Sequence, residues 1–228
     1  MVMPTASIPT FDVEIYSTKQ TVKFRPFLVK EEKLLIMAQE SGKAEDISKA
    51  MQDIVTACSN NVLDGSKLPL YDLQNTFLRL RSQSIGAETE FSLICGNCNH
   101  RTPFILNLDK IELKFDENHT NKIQLEENLG VIMKYPTPNV ISNEETTIYD
   151  LIVACIDQVY TDTEVHNAAD ETKEEIESWV DDLTNEQFYK IVYFFESMPR
   201  LEHEVEYTCS KCNTENLIVM NGLESFFG

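Results

Sequence analysis

The chain has 228 residues, is 42% hydrophobic and carries a formal charge of −19 at pH 7, with eight prolines, seven glycines and six cysteines. That length buries the core of one large domain or two small ones, and no apolar run approaches the roughly 18 residues of a membrane span. Four of the six cysteines stand in C-x-x-C pairs, which argues for a reducing compartment and metal binding rather than a disulfide framework. The start, Met1-Val2-Met3-Pro4-Thr5, lacks the basic and apolar regions of a secretory signal, so synthesis in a cytosol is expected.

The charge is uneven. From Glu144 to Glu206 eighteen Asp and Glu face three Lys and Arg. Such a field repels nucleic-acid phosphate and anionic lipid, since Lys and Arg supply the main attraction to both. Neither nucleic acid nor membrane is therefore expected as a partner. The stretch reads first as a solvated acidic face and second as a surface for a basic partner.

In chain order, residues 1–10 read as an extended arm. Phe11, Val13 and Ile15, then Val22 and Phe24, alternate with polar residues around the turn at Ser17-Thr18-Lys19-Gln20. This is the period of a hairpin with one apolar face (11–25), and Pro26 ends its second strand. A helical block (28–86) follows. Its first helix, Lys30 to Gln39, stops at Ser41-Gly42. The second, Ala44 to Ser59, puts Ile47, Met51, Ile54, Val55 and Cys58 on one face. The third opens at Pro69 and breaks at Gly86.

A strand-rich middle (88–135) holds the first C-x-x-C pair at a hairpin tip. It continues through alternating Ile111, Leu113 and Phe115, then a hairpin turning at Glu127-Asn128-Leu129-Gly130, where Gly130 is expected to supply a positive φ. Pro136-Thr137-Pro138 punctuates the chain. The second helical block (143–198) starts near Asn143, with Ile148, Leu151, Ile152, Cys155 and Val159 on one helical face. A polar loop is expected from Thr161 to Asp170 and a short helix from Glu171 to Asp181. Thr184-Asn185-Glu186-Gln187 is a capping box opening a helix rich in Phe188, Ile191, Val192, Phe194 and Phe195. That stripe reads as core, with a partner groove or self-association surface as the second reading. The second C-x-x-C hairpin and an apolar tail with Leu223, Phe226 and Phe227 close the chain (203–228). The expected fold class is α+β, as a single domain over 1–228. Cys58 and Cys155 fall on apolar stripes and read as buried structural thiols.

The strongest chemical signal is the pair of knuckles, Cys95-Gly96-Asn97-Cys98 and Cys209-Ser210-Lys211-Cys212. Each is preceded and followed by a strand-like run, so each sits at a hairpin tip. Brought together they supply four thiolates, the ligand set of a structural zinc site in a zinc-ribbon-like clamp. Iron in a rubredoxin-like site is the alternative occupant, and free thiols that never meet are the alternative arrangement. A thioredoxin-type role is disfavoured, because neither pair opens a helix after a strand. His100 and His203 lie near the knuckles, as substitutes for a thiol, as hydrogen-bond donors to one, or as surface residues. No phosphate-binding glycine loop, G-x-G-x-x-G or G-x-S-x-G motif is present, and the acidic block lacks a His or Arg that would single out an acid–base pair. No catalytic residue is assigned.

The stretch Lys23-Phe24-Arg25-Pro26-Phe27-Leu28-Val29-Lys30-Glu31-Glu32-Lys33-Leu34-Leu35 resembles the signature of the T4-type phage baseplate protein family, small proteins involved in forming the central hub of a contractile tail's baseplate. Gly130 to Pro136 (Gly-Val-Ile-Met-Lys-Tyr-Pro) and the Leu-Glu-Ser-Phe-Phe ending are similar to further segments of that family. The resemblance implies a non-enzymatic late protein that helps assemble the baseplate hub, in the host cytoplasm during assembly or as part of the virion baseplate. Its implied partners are other hub and tail proteins. Arg25, Pro26, Phe27 and Lys30 are the first candidates for partner contacts. Beside that stands a structural reading, in which Pro26 sets a strand-to-helix corner and Phe27 packs under it. Not every member of that family is expected to keep the cysteine pairs, so the metal rests on spacing alone. A zinc-ribbon regulator of nucleic acid is the alternative function, and it requires a basic patch where only Lys211 and Arg101 stand.

Overall fold

A computed structural model of the chain describes residues 7–141 and 146–223. Phe226, Phe227 and the expected helix start at Asn143 lie outside these. The fold is α+β, and it divides into two compact units: residues 1–114 with 200–228, and residues 115–199. The expected strand-rich middle is therefore shared between the units. Among the described residues no helix is long and apolar enough to cross a membrane.

The first unit opens with the hairpin of β1 (Phe11–Ile15) and β2 (Gln20–Phe24). Its register sets Val13 opposite Val22, so the alternation buries Val13, Ile15, Val22 and Phe24 on one face. Three helices follow as expected: α1 (Val29–Ser41), α2 (Ala44–Cys58) and α3 (Leu70–Ile85). Gly42 ends α1 at φ 67°, a left-handed conformation that costs glycine little. Buried Asp72 on α3 accepts hydrogen bonds from the backbone N–H groups of Tyr16 (2.9 Å) and Ser17 (3.0 Å), pinning the β1–β2 turn to the helix. Arg79 on the same helix donates to the carbonyls of Leu108, Asp109 and Ile111.

Two hairpins complete this unit. One is β3 (Glu88–Ile94) with β4 (Arg101–Asn107). The other is β10 (Arg200–Thr208) with β11 (Glu215–Asn221), extended by β5 (Glu112–Lys114) into a sheet of order β11-β10-β5. Phe24, Ile54, Leu73, Leu78, Leu80, Leu108 and Ile111 are almost wholly buried in this unit.

The second unit is a four-stranded antiparallel sheet, in the order β6 (Lys122–Glu126), β7 (Leu129–Met133), β8 (Ile156–Thr161), β9 (Val165–Asn167). The helices α4 (Ile148–Cys155), α5 (Lys173–Asp181) and α6 (Asn185–Ser197) accompany it. Its core gathers Leu125, Val131, Met133, Ile152, Cys155, Ile191 and Phe194.

Three sequence expectations are corrected by the structure. The helix expected to carry Val159 ends at Cys155, and Val159 lies in β8 opposite Val131. The β-branched and aromatic run of β8 pairs with β7, and that outweighs the helical spacing of its apolar residues. The polar stretch after it contributes β9. Gly130 does not take a positive φ. It sits within β7 opposite Tyr160, and a Cβ there would fall 2.2 Å from the Tyr160 ring. The glycine makes room for an aromatic ring rather than for a turn. The capping box at Thr184 is present, with Gln187 N–H donating to Thr184 Oγ1 (3.3 Å) and Thr184 N–H to Gln187 Oε1 (2.7 Å).

Candidate metal centre

Each C-x-x-C pair occupies the turn between two paired strands, β3 with β4 and β10 with β11. The two turns share one backbone design. Cys95 N–H donates to His100 O (2.9 Å) and Asn99 N–H to Cys95 O (2.9 Å). In the second, Cys209 N–H donates to Thr214 O (2.9 Å) and Asn213 N–H to Cys209 O (3.0 Å). Asn99 and Asn213 take positive φ values of 54° and 55°. Asn tolerates that left-handed conformation better than other residues with a Cβ, so each knuckle is really a C-x-x-C-N motif. Sequence reasoning missed these two asparagines, although the repeated Asn after the second cysteine was visible.

The turns aim all four thiols at one point, and the four sulfur atoms lie within 4.8 Å of one another. The Cys95–Cys212 and Cys98–Cys209 sulfurs are each 3.7 Å apart. A tetrahedral ion with metal–sulfur bonds of about 2.3 Å would space its ligands by about 3.8 Å, the spacing that these two pairs already have. All four ligands are sulfur, and the cluster includes neither His100 nor His203.

Polar neighbours stabilise negative sulfur. Asn97 N–H approaches Cys95 Sγ (3.4 Å), Lys211 N–H approaches Cys209 Sγ (3.5 Å), and Asn216 Nδ2 lies 3.7 Å from Cys95 Sγ. The Thr214 hydroxyl stands 3.2 Å from Cys212 Sγ. Thr214, with its side chain first and its backbone second, pulls the Cys212 thiol down to about 5. Cys209 is also lowered, by the backbone N–H groups of Cys212 and Lys211. Cys98 moves the other way, to about 12: the His100 N–H favours its thiolate, but Cys212, burial, Cys209 and Cys95 together outweigh it. A central cation favours the thiolate form of its sulfur ligands and so removes that opposition. The knuckles are also tied directly: Gly96 N–H donates to Asn216 Oδ1 (3.1 Å) and Asn97 Nδ2 to Thr214 Oγ1 (3.2 Å).

The other cysteines stand apart from this cluster. Burial pushes the Cys58 thiol up to about 11 and the Cys155 thiol up to about 12, which makes both inert core residues.

Arg25, Pro26, Phe27 and Lys30 lie at the corner between β2 and α1. The Arg25 guanidinium donates to Glu31 Oε1 (2.8 Å) and Pro26 O (3.1 Å), and its side chain is 11% exposed. Glu31 Oε2 accepts from Leu28 N–H (2.8 Å), so one carboxylate holds both the arginine and the helix entry. Burial alone would raise the Glu31 pKa, but Arg25 and Leu28 together bring it below the usual carboxylate range. Phe27 packs its ring 5.7 Å from that of Phe77, and its N–H donates to Ser84 Oγ (2.8 Å). Lys30 alone of the four is exposed, and it reaches Glu31 at 3.5 Å.

Comparison with known proteins gives one family. The family described as T4 bacteriophage base plate protein matches residues 8–228. No curated protein and no solved structure matches the chain.

Proposed function

The chain belongs to the T4 bacteriophage base plate protein family, and from that premise we propose that it is a non-enzymatic structural or assembly component in formation of the contractile-tail baseplate hub. The single observation behind this reading is the family match over 8–228, which takes in both compact units. Its partners would be other hub and tail proteins, met in the host cytoplasm during assembly. The corner around exposed Lys30 is one candidate contact.

The four-cysteine cluster complements this reading as a structural zinc site. Cys95, Cys98, Cys209 and Cys212 would hold the ion, which supplies a cross-link and, with all four positions taken by sulfur, offers no open position for chemistry. A nucleic-acid role is disfavoured by the charge of −19, which opposes phosphate at every distance that electrostatics reach.

Co-expression of the chain with the neighbouring tail proteins, followed by affinity capture and mass spectrometry, tests the assignment. Recovery of hub components is the expected result. Capture of DNA or of RNA polymerase in their place would overturn it.

A further inference from the structure

The 115–199 unit carries a groove that the metal centre does not touch. It runs beside α6, encloses about 520 Å³, and has Ile123 and Phe194 in its apolar lining. Glu186, Tyr189, Lys190 and Tyr193 form its rim, spaced three, four and seven residues apart along one stripe of the helix. Tyr189 is 69% exposed and Tyr193 46%, while the phenylalanines of the same helix turn inward. A sequence with buried Phe and outward Tyr matches the composition of recognition surfaces, where tyrosine supplies a large, stiff contact with a polar tip.

The charge around the groove selects the occupant. The 115–199 unit contains nineteen Asp and Glu against four Lys. Lys190, the cation on the rim, is already engaged by Glu186 (3.3 Å) and by the Leu125 carbonyl (3.0 Å). Asp116 accepts from the Tyr193 hydroxyl (3.3 Å) and is held below the usual carboxylate range by the Asn118 N–H. A carboxylate therefore stands at Tyr193, and Glu186 lies three residues before Tyr189 on the same helix. A second copy of this chain would bring the same excess of negative charge to the contact and be repelled.

We propose that the groove beside α6 is the docking site for a basic segment of another protein, with its apolar side chains in the groove and its arginines over Tyr189 and Tyr193. Arginine fits each element: its guanidinium stacks on an aromatic face and pairs with carboxylates at the edge, and its stem covers apolar surface. The inference stands independently of the metal and of the hub assignment.

The test uses the full chain and a fluorescent, amidated peptide alternating arginine with leucine, titrated by anisotropy at physiological ionic strength. Saturable binding is expected, with the glutamate-for-arginine peptide inert. Tyr189→Ala should weaken binding about tenfold, and Glu186→Lys several-fold. Thermal melts of both variants identify any loss of folding. Glu186→Lys keeps the test decisive if the tyrosine variant unfolds. No binding, equal binding of both peptides, or undiminished affinity in folded variants would each overturn the proposal. A dimer in sedimentation that Tyr189→Ala dissociates would overturn it in favour of self-association.

Discussion

If the four knuckle cysteines hold an ion as proposed, removing it should cost the protein a large part of its stability. Cys98 and Cys209 are 111 positions apart, so an ion joining the knuckles closes a loop of about 111 residues. Treated as a cross-link kept in both states, closure of that loop removes about 4.8 kcal/mol of unfolded-state entropy. Residues 115–199 form their own compact unit inside the loop. If that unit stays folded, only about 26 flexible residues remain, and the same relation gives about 3.5 kcal/mol. An ion lost on unfolding contributes its binding free energy, which for structural zinc lies near or above about 10 kcal/mol. About 3.5 kcal/mol is therefore the floor.

For a chain of this length the floor corresponds to a fall in melting temperature of at least about 7 °C. Calorimetric melts with and without a zinc chelator measure it, alongside metal content by atomic emission. Cys95→Ser/Cys209→Ser should melt like the chelated protein and lose no more on chelation. Cys155→Ser, which removes a buried thiol outside the cluster, should keep the chelator response. Cobalt in place of the native ion should give the visible bands of a tetrahedral thiolate site. Fewer than one metal per chain, with equal melting in chelator and in buffer, would refute the reasoning.

Arg25→Ala leaves the Glu31 carboxylate, 5% exposed, with only Lys30 and the Leu28 N–H as partners, and should destabilise the protein by about 2 kcal/mol in urea unfolding. The native Glu31 pKa is depressed, so its contribution is full above the unfolded carboxylate value and is lost as pH falls through the folded one. His119 gives the opposite case. Ser197 donates to Tyr193 O (2.7 Å), so its oxygen accepts from His119 Nδ1–H (3.0 Å), and Tyr135 OH donates to Nε2 (2.9 Å). Burial lowers its pKa and keeps the ring neutral, so stability should fall as pH drops below about 6.5, the ordinary His value at which the unfolded chain takes up the proton. His119→Gln should flatten that part of the profile in melts from pH 7 to pH 5. Gly130→Ala should cost about 1 kcal/mol by driving a methyl into the tip of the half-buried Tyr160 side chain, and less in a Tyr160→Ala background. Additive costs in the double-mutant cycle would contradict the contact.

What the sequence revealed followed local rules. The alternation in β1 and β2, the stops at Gly42 and Gly86, and the Thr184 capping box each follow from a few neighbouring residues. The convergence of the C-x-x-C pairs needed only a metal's demand for four ligands. The missed features depend on partners distant in the chain. Val159 has helical spacing from Cys155, and nothing local announces that β7 will claim it. Gly130 resembles a turn glycine until Tyr160, thirty positions away, is placed over it. Asp72 gives no local sign that it caps a turn fifty-five positions earlier. His119 gives no local sign that Tyr135, Phe194 and Ser197 will close around it.

The 115–199 segment should also fold by itself. It is continuous in sequence, so excision cuts the chain only twice, at Lys114–Phe115 and at Pro199–Arg200. Its core of Leu125, Val131, Met133, Ile152, Cys155, Ile191 and Phe194 is drawn wholly from within. The helices α4, α5 and α6 are opened by Thr147, Thr172 and Thr184, each paired with a side chain three residues on, so no helix start depends on the rest of the chain. The opposing term is charge: nineteen acids against four lysines repel one another in any compact state, most strongly at low salt. The excised segment should therefore melt cooperatively at moderate ionic strength, gain stability as salt rises, and keep the His119 pH dependence of the full chain. A broad, non-cooperative melt at every salt concentration would show that its core alone does not outweigh that repulsion.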